Sequence, residues 1–175
     1  MNPIIQLTRA YHFAALKHAA QRRKGDAAEP YVNHLTEVAE LVAQATAGAD
    51  VEVVIAAILH DTVEDTGVTL DELTAAFGAR VAGLVAEVTD DKALPKARRK
   101  ELQIEHAAHA SAGAQIIKLE DKTSNLRSLA DSPPAGWDAA RKAEYVAWAG
   151  RVVDQCRGAN AWLAEEFDRA AGALA

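Results

Sequence analysis

Residues 51–63, VEVVIAAILHDTV, constrain the fold of this chain more than any other segment. Every residue from Val51 to Leu59 except Glu52 is apolar, and the run then ends in His60 and Asp61. A helix that is apolar on all sides has to be enclosed by other elements. An imidazole and a carboxylate at its end are costly unless they are paired, hydrogen-bonded or metal-bound. The segment therefore predicts a central buried helix that carries a polar site at its carboxyl end.

The rest of the sequence predicts an all-α fold. Alanine, the strongest helix former, accounts for 40 of the 175 residues. Helical periodicity is present in most windows, whereas strand alternation never extends beyond a few residues. We expect one domain over residues 1–175, a bundle of about eight helices. The predicted helices are 2–23, 32–47, 51–63, 70–77, 78–88, 96–111, 113–130 and 138–170, the last interrupted near Gly150.

Charge and composition exclude several classes of protein. The net charge of −6 argues against general nucleic-acid binding, which needs a broad basic surface. A small phosphorylated ligand stays compatible with that charge, because a local cationic pocket or a metal can bind it. Apolar runs stay well short of the roughly 18 residues that span a bilayer, and the start MNPIIQLTRAYHF lacks the pattern of a signal peptide. We therefore expect a cytoplasmic protein without a membrane partner, and leave its oligomeric state open.

The polar residues after the apolar run form an acidic cluster. Glu64 follows His60 by four residues, and Asp65 follows Asp61 by the same spacing. In a continuing helix these four side chains would share one edge. Three carboxylates beside one imidazole repel one another unless a cation neutralises them, and a divalent metal would also activate a bound water. A capped or hydrogen-bonded helix end is the alternative interpretation.

Two further polar residues favour the metal interpretation. His34 stands at the start of the second predicted helix, and Asp121 lies inside the apolar stretch IIKLEDKTSNL. An unpaired carboxylate in such a stretch is again costly. Together with His60 and Asp61 these residues form a nitrogen and oxygen ligand set that suits Mn, Fe, Zn or Ni.

Three stretches of the sequence resemble the hydrolase domain of the RelA/SpoT-type alarmone enzymes, part of the HD metal-dependent phosphohydrolase superfamily. They are QRRKGDAAEPYVNHLTEVA, ILHDTVEDTGVTLDELTAAFGARVAGLVAEVTDDKALP and IIKLEDKTSNLRSL. The resemblance runs from about residue 5 to residue 165 and is strongest to the stand-alone, metazoan-type small alarmone hydrolases. A bare His-Asp pair is a weak signal, whereas HDTVEDT followed by FG and VTDDK is a specific one.

The resemblance implies manganese-dependent hydrolysis of guanosine 3′,5′-bis(diphosphate) and its pentaphosphate relative. Pyrophosphate and either GDP or GTP would be released, which lowers the alarmone level in the stringent response. Carried over residue by residue, the implied metal ligands are His34, His60, Asp61 and Asp121. Glu64 and Asp65 match the family's acidic pair, which orients or deprotonates the attacking water. The implied substrate-binding residues are Arg23, Lys24, Asn125, Arg141 and Tyr145.

The chain departs from the family pattern at three positions. Leu35 replaces the usual proline after the first histidine, which should leave ligation by His34 intact because proline there only pre-sets the backbone. Glu120 replaces the usual alanine before the final aspartate, and would either face solvent or perturb the site. Ser124 replaces the usual aromatic or histidine before the asparagine. The last two departures bear on substrate preference more than on metal binding.

The remaining polar and aromatic residues are assigned structural roles. The basic run KARRK at 96–100 is interpreted as a solvated helix face, with steering of a polyphosphate as the alternative. Cys156 has no neighbouring histidine and is not expected to act as a nucleophile. Packing or surface roles are expected for His12, His18, His106, His109, Trp137, Trp148 and Trp162.

Two other functions stay open at this point. One is an HD phosphohydrolase that acts on another nucleotide, such as NADPH or a nucleoside polyphosphate. The other is a non-catalytic module that binds nucleotide without turnover. The complete set of candidate ligands and acids argues against the second, because a silent relative would be expected to have lost at least one of them.

Overall fold

The computed structural model describes residues 2–174, which form ten α-helices and no β-strand within that range. The all-α fold class is therefore confirmed. The helices are α1 (Pro3–Lys17), α2 (Val32–Ala45), α3 (Val51–Leu59), α4 (Thr62–Thr66), α5 (Leu70–Phe77), α6 (Ala79–Val88), α7 (Lys96–Ala107), α8 (Ala112–Asp131), α9 (Ala139–Asp154) and α10 (Ala161–Gly172), with a 3₁₀ turn at Arg157–Ala159.

Helix α3 occupies the centre of the fold, as its all-round apolar sequence predicts. It packs against α1, α2, α6 and α8, and every residue from Val53 to Leu59 is buried. Burial of an aliphatic side chain such as Ile55 or Ile58 contributes roughly 1.5–3 kcal/mol. The Asp50 carboxylate caps the helix by accepting a hydrogen bond from the Val53 amide at 3.3 Å.

The prediction of one continuous helix over residues 51–63 is wrong, because the helix is interrupted at His60 and Asp61. Helix α3 ends at Leu59, and Asp61 is the residue before the first turn of α4. The Asp61 backbone has φ −97° and ψ −1°, outside the regular helical range. This interruption places His60 and Asp61 at the junction of two helices.

The predicted terminal helix 138–170 also divides, although not at Gly150, which lies inside α9. The interruption falls at residues 155–160, where the 3₁₀ turn precedes an Asn160 side chain that accepts from the Leu163 amide. These two divisions raise the number of helices from the expected eight to ten. The first helix ends at Lys17 rather than residue 23, because residues 21–23 pair with residues 29–31 instead.

Helix α8 connects two apolar clusters in the described chain. Ala114 and Ile117 belong to the cluster around α3, whereas Leu119 and Leu126 belong to a second cluster with α9 and α10. Because α8 is packed into both clusters, its position in the fold is fixed, and so is that of the polar residue Asp121 on this helix. Within residues 2–174, no helix is long and apolar enough to cross a membrane. The expected cytoplasmic location stays a prediction.

The loop at residues 18–31 lies against the segment that follows α8. The amide of Ala27 donates to Ser132 Oγ at 3.1 Å, and Gly25 pairs with Pro134 in an isolated β-bridge. A Cβ atom at Gly25 would overlap the backbone oxygen of Ser132. Glycine is therefore needed here for a close approach of two backbone segments.

We predict that Gly25→Ala lowers the free energy of unfolding by about 1–3 kcal/mol, since the backbone of Ser132 must shift. Gly83→Ala is the matched control, because a Cβ there meets nothing within 4 Å in the middle of α6. It should stabilise the protein by roughly 0.5–1 kcal/mol. Urea denaturation of both variants measures the difference, and equal stability of Gly25→Ala and the unaltered protein would contradict the close approach.

Candidate active site

Two histidines and two aspartates from the α2, α3–α4 and α8 regions converge at the end of α3. His60 Nε2 lies 3.1 Å from Asp61 Oδ2, and His34 Nε2 lies 3.3 Å from Asp121 Oδ1. His34 Nε2 is also 3.7 Å from Asp61 Oδ2. The structure therefore brings together all four residues that were predicted from sequence as ligands.

The donor atoms of this group fit a divalent cation. His34, His60 and Asp121 each offer a ligand atom within 4.8 Å of the others. The Nε2 atoms of both histidines are buried and have no hydrogen-bond partner among the described residues. A buried polar atom without a partner is costly, and a cation coordinated by imidazole nitrogens and carboxylate oxygens removes that cost. The group is thus a His-His-Asp site that could hold a divalent metal.

Electrostatics of the group also favour bound positive charge. Burial lowers the pKa of His34. Burial acts in the same direction on His60, yet the carboxylates of Asp61 and Asp121 outweigh it and raise the pKa of His60 to about 9. Against the effect of burial, the neighbouring His60 holds the pKa of Asp61 below its usual range. A proton on His60 would therefore be exchanged for a metal cation, so metal binding should release protons.

Neighbouring side chains orient the two aspartates. Tyr31 donates a hydrogen bond from its hydroxyl to Asp61 Oδ2 at 2.6 Å, and burial raises the pKa of that hydroxyl. Lys122 Nζ lies 2.7 Å from Asp121 Oδ2, and Asn125 Nδ2 donates to Asp121 Oδ1 at 2.6 Å. Each carboxylate is consequently held in one orientation toward the histidines.

The predicted acidic pair lies on α4, one turn after Asp61, and the Asp65 amide donates to the Asp61 carbonyl oxygen at 2.9 Å. Glu64 Oε2 accepts a hydrogen bond from the Asp90 amide at 3.0 Å. Asp65 Oδ2 accepts from Gln21 Nε2 at 2.7 Å, and Asp65 also forms an ion pair with Lys92. Burial raises the pKa of Glu64. A carboxylate with a raised pKa is suited to accept a proton near neutral pH.

A cleft of about 1020 Å³ adjoins the metal-binding group. Arg23 Nη2 donates to Asn125 Oδ1 at 3.0 Å, which connects the cleft wall to Asp121 through one side chain. The large volume matches a ligand of nucleotide size. The cleft is lined by every residue that the family resemblance assigned to substrate binding, namely Arg23, Lys24, Asn125, Arg141 and Tyr145.

The basic run at 96–100 divides between two roles. Lys96, Arg99 and Lys100 line the cleft, whereas Arg98 pairs with Glu105 on the exposed side of α7 at 2.9 Å. The interpretation as a wholly solvated face is therefore incomplete. Lys92 also lines the cleft, where it is paired with Asp65.

Two of the three tryptophans also line the cleft. The rings of Trp137 and Tyr145 are 5.7 Å apart, and those of Tyr145 and Trp148 are 5.4 Å apart. Arg141 lies over the Trp137 ring at 4.6 Å. Trp162 packs against the second apolar cluster, as expected.

The three departures from the family pattern occupy different environments. Leu35 is buried in the cluster around α3 and leaves His34 inside the site. Glu120 is completely buried, so the expectation that it could face solvent is wrong. Its two carboxylate oxygens have no hydrogen-bond partner anywhere in residues 2–174. Ser124 lies behind His34, where its hydroxyl oxygen is 2.9 Å from Nδ1 of the imidazole.

Sequence reasoning missed the residues that support the site from behind. Tyr31, Gln21 and Lys122 all contact a candidate ligand or acid, yet none forms part of a ligand pattern along the chain. The position of Tyr31, one turn before His34, is the one local signal that could have indicated it. The contact from Gln21 depends on packing between distant segments, whereas Lys122 contacts the residue directly before it in the chain.

The comparisons with known proteins agree with this fold. A model of the HD domain family matches residues 10–150. Guanosine-3′,5′-bis(diphosphate) 3′-pyrophosphohydrolase MESH1 from Homo sapiens is 51% identical over 160 residues, which covers 91% of this chain and 89% of that protein. The Drosophila melanogaster protein of the same name is 45% identical over 166 residues, or 95% of this chain and 93% of that protein.

A solved structure also supports this family and fold. It belongs to a metazoan orthologue of SpoT described as hydrolysing ppGpp and acting in starvation responses. Its TM-score is 0.90 at 45% identity, and the match covers 94% of this chain and 93% of the other. The helical fold and the His-Asp site thus define an HD domain protein, and at this identity the chain belongs to the MESH1 family within that class. The resemblance noted from sequence is confirmed.

We predict a pH-dependent effect of Glu120, because burial raises its pKa from an ordinary 4.5 to about 8. A carboxyl group with a raised pKa folds in its neutral form, so its contribution to stability falls as pH rises from about 4.5 to about 8. Between pH 6 and pH 9 the unaltered protein should lose on the order of 2–3 kcal/mol more than Glu120→Gln. Urea denaturation at both pH values measures this, and parallel losses would contradict the assigned environment.

Proposed function

We propose that this chain hydrolyses guanosine 3′,5′-bis(diphosphate) and its pentaphosphate relative at the 3′-diphosphate. The products are pyrophosphate and GDP or GTP. The observation that carries the proposal is the pair of buried, unpartnered Nε2 atoms of His34 and His60 beside two carboxylates. This group adjoins a cleft rich in cationic side chains, and the related MESH1 proteins are named for this reaction.

The metal proposed for the site is Mn²⁺, held by His34, His60, Asp61 and Asp121. Nitrogen and oxygen donors without a thiolate suit this ion among the borderline and hard cations. When bound, the cation supplies a nucleophilic water at neutral pH and neutralises phosphoryl oxygens. Tyr31 holds Asp61 toward the site through its hydroxyl.

Glu64 is proposed to accept a proton from the attacking water. Its raised pKa and its anchoring by the Asp90 amide support that role. Asp65, fixed by Gln21 and Lys92, is proposed to orient the water. The oxygen of water forms a bond to the phosphorus next to the 3′-oxygen, the bond between that phosphorus and the 3′-oxygen breaks, and the 3′-oxygen takes a proton.

The substrate is proposed to lie in the cleft against Arg23, Lys24, Arg141 and Tyr145. Arginine and lysine donors match the oxygens of the two diphosphate groups. Asn125 is hydrogen-bonded to both Arg23 and Asp121. It therefore couples the position of a proposed substrate-binding residue to that of a proposed metal ligand. The lysines and arginine of α7 add positive charge that favours the more highly phosphorylated ligand.

We also propose that residues 1–175 form one HD domain. Helix α8 contributes to both apolar clusters, so neither cluster is complete without it. The match of the family model to residues 10–150 covers most of that range.

We predict pyrophosphate release from guanosine 3′,5′-bis(diphosphate) with added Mn²⁺, and its loss when a chelator is present. Coupled detection of pyrophosphate and chromatography of GDP measure the reaction. NADPH is assayed in parallel, since the cleft volume admits a dinucleotide. Release of phosphate from NADPH alone would move the substrate assignment to that nucleotide. Binding without turnover of either compound would indicate a non-catalytic module.

We predict that Asp61→Ala loses both Mn²⁺ binding and turnover. Glu64→Gln should keep the metal and lower kcat by about 10²–10⁴-fold, as expected for removal of a general base. The amide of the glutamine still accepts from the Asp90 backbone, so the site keeps its shape. Asp71→Asn, on the exposed first turn of α5, is the matched control. Full activity of Asp61→Ala would contradict the metal assignment.

A further inference from the structure

The Nδ1 side of His34 faces a chain of hydrogen bonds that the proposed reaction does not use. His34 Nδ1 lies 2.9 Å from Ser124 Oγ. Ser124 donates its hydroxyl to Glu37 Oε2 at 2.6 Å. Glu37 accepts a second bond at Oε1, from Arg127 Nη1 at 3.1 Å. The four side chains link α2 to α8 directly behind a proposed metal ligand.

The direction of this chain is fixed by the chemistry of its members. Arg127 has only donors and keeps its charge at all relevant pH values, so the carboxylate of Glu37 is an acceptor on both sides. The single hydroxyl hydrogen of Ser124 is therefore committed to Glu37. Ser124 can then only accept from His34, which requires a hydrogen on Nδ1 of the imidazole. In a neutral imidazole this leaves the lone pair on Nε2, the atom that faces the two aspartates.

The arrangement is rigid because both helices contribute a pair of residues one turn apart. His34 and Glu37 are three residues apart on α2, and Ser124 and Arg127 are three residues apart on α8. Arg127 Nη2 also donates to Glu166 of α10 at 2.7 Å. The Ser124 hydroxyl that contacts His34 is itself fixed by Glu37, and Glu37 is fixed by Arg127. Outer partners of metal-binding histidines orient the imidazole in this way.

We propose that Ser124 and Glu37 are positioning residues that fix His34 as the Nδ1–H tautomer and aim its Nε2 lone pair at the metal site. This inference rests on the proposed metal site for its function, but the tautomer itself is a property of the protein without metal. It gives Ser124, one of the departures from the family pattern, a role in metal affinity rather than in substrate preference.

Isothermal titration with Mn²⁺ tests the effect on affinity. Ser124→Ala removes the acceptor of the Nδ1 hydrogen and should weaken Mn²⁺ binding 10–100-fold, the usual cost of removing an outer partner of a ligand. Thr123→Val is the matched control, because it removes a neighbouring buried hydroxyl that bonds only to Leu119 of the same helix. Its Mn²⁺ affinity should match that of the unaltered protein. Equal affinities of all three proteins would overturn the proposal.

Glu37→Gln gives a sharper test, because the variant keeps the shape of the side chain. The amide oxygen will face the Arg127 cation, so the amide nitrogen faces Ser124 and donates to it. The Ser124 hydroxyl then points at His34 Nδ1, and the chain of bonds reverses. We expect His34 to change from the Nδ1–H to the Nε2–H tautomer and Mn²⁺ affinity to fall at least as far as in Ser124→Ala.

Two-bond ¹H–¹⁵N correlation spectra of the metal-free protein identify the tautomer directly, with His34→Asn used to assign the signals. An Nδ1–H tautomer in both the unaltered protein and Glu37→Gln would overturn the proposal, as would Nε2–H in the unaltered protein. If the unaltered protein showed the Nδ1–H tautomer but bound no Mn²⁺, the metal assignment would be wrong while the tautomer assignment stood. Loss of folding would appear as loss of helical circular dichroism, which the isosteric Glu37→Gln is chosen to avoid.

Discussion

Burial of charged groups at the end of an apolar helix is the constraint on which the rest of the structure depends. The imidazole of His60 and the carboxylate of Asp61 leave water where α3 ends, and unpaired charges in that position would cost several kcal/mol. The cost is reduced only if groups from other helices come to meet them. His34 from α2 and Asp121 from α8 do so, and this requirement fixes how three helices sit around the site.

On helix α8, one residue belongs to the candidate site and the residue before it belongs to the core. Asp121 faces the histidines, whereas Glu120, one residue earlier, is buried with both oxygens unpartnered. Consecutive residues of a helix point about 100° apart, so the two carboxyl groups enter different surroundings. Against the effect of burial, Lys122 stabilises Asp121 as an anion. Glu120 takes up a proton instead, because burial dominates its environment. The same functional group therefore acts as a candidate ligand at one position and as a neutral core residue at the next.

Costly burial was the sequence signal for three of the four candidate ligands, because His60, Asp61 and Asp121 interrupt apolar runs. His34 has no such signal and was indicated by the family resemblance, and the structure brings it to the other three. Helix boundaries were less accessible, because the division at Asp61 follows from the way its side chain meets α2 and α8. The basic run at 96–100 was misjudged in part, since only the packing of α7 against α9 decides which of its cations enter the cleft. The bonds from Glu37 to Ser124 join positions that are 87 residues apart and leave no periodic signal.

The charge of the whole chain and the charge of its cleft have opposite signs, and both affect ligand choice. A net charge of −6 disfavours long polyanions such as nucleic acids, which contact a broad surface. A compact polyphosphate responds to the local field instead, and the cleft concentrates Arg23, Lys24, Lys100 and Arg141 in a small region. Two arginines outside the cleft are paired with carboxylates instead, Arg80 with Asp50 and Arg157 with Asp168. The cleft thus presents cations to a small, highly charged ligand although the chain as a whole is acidic.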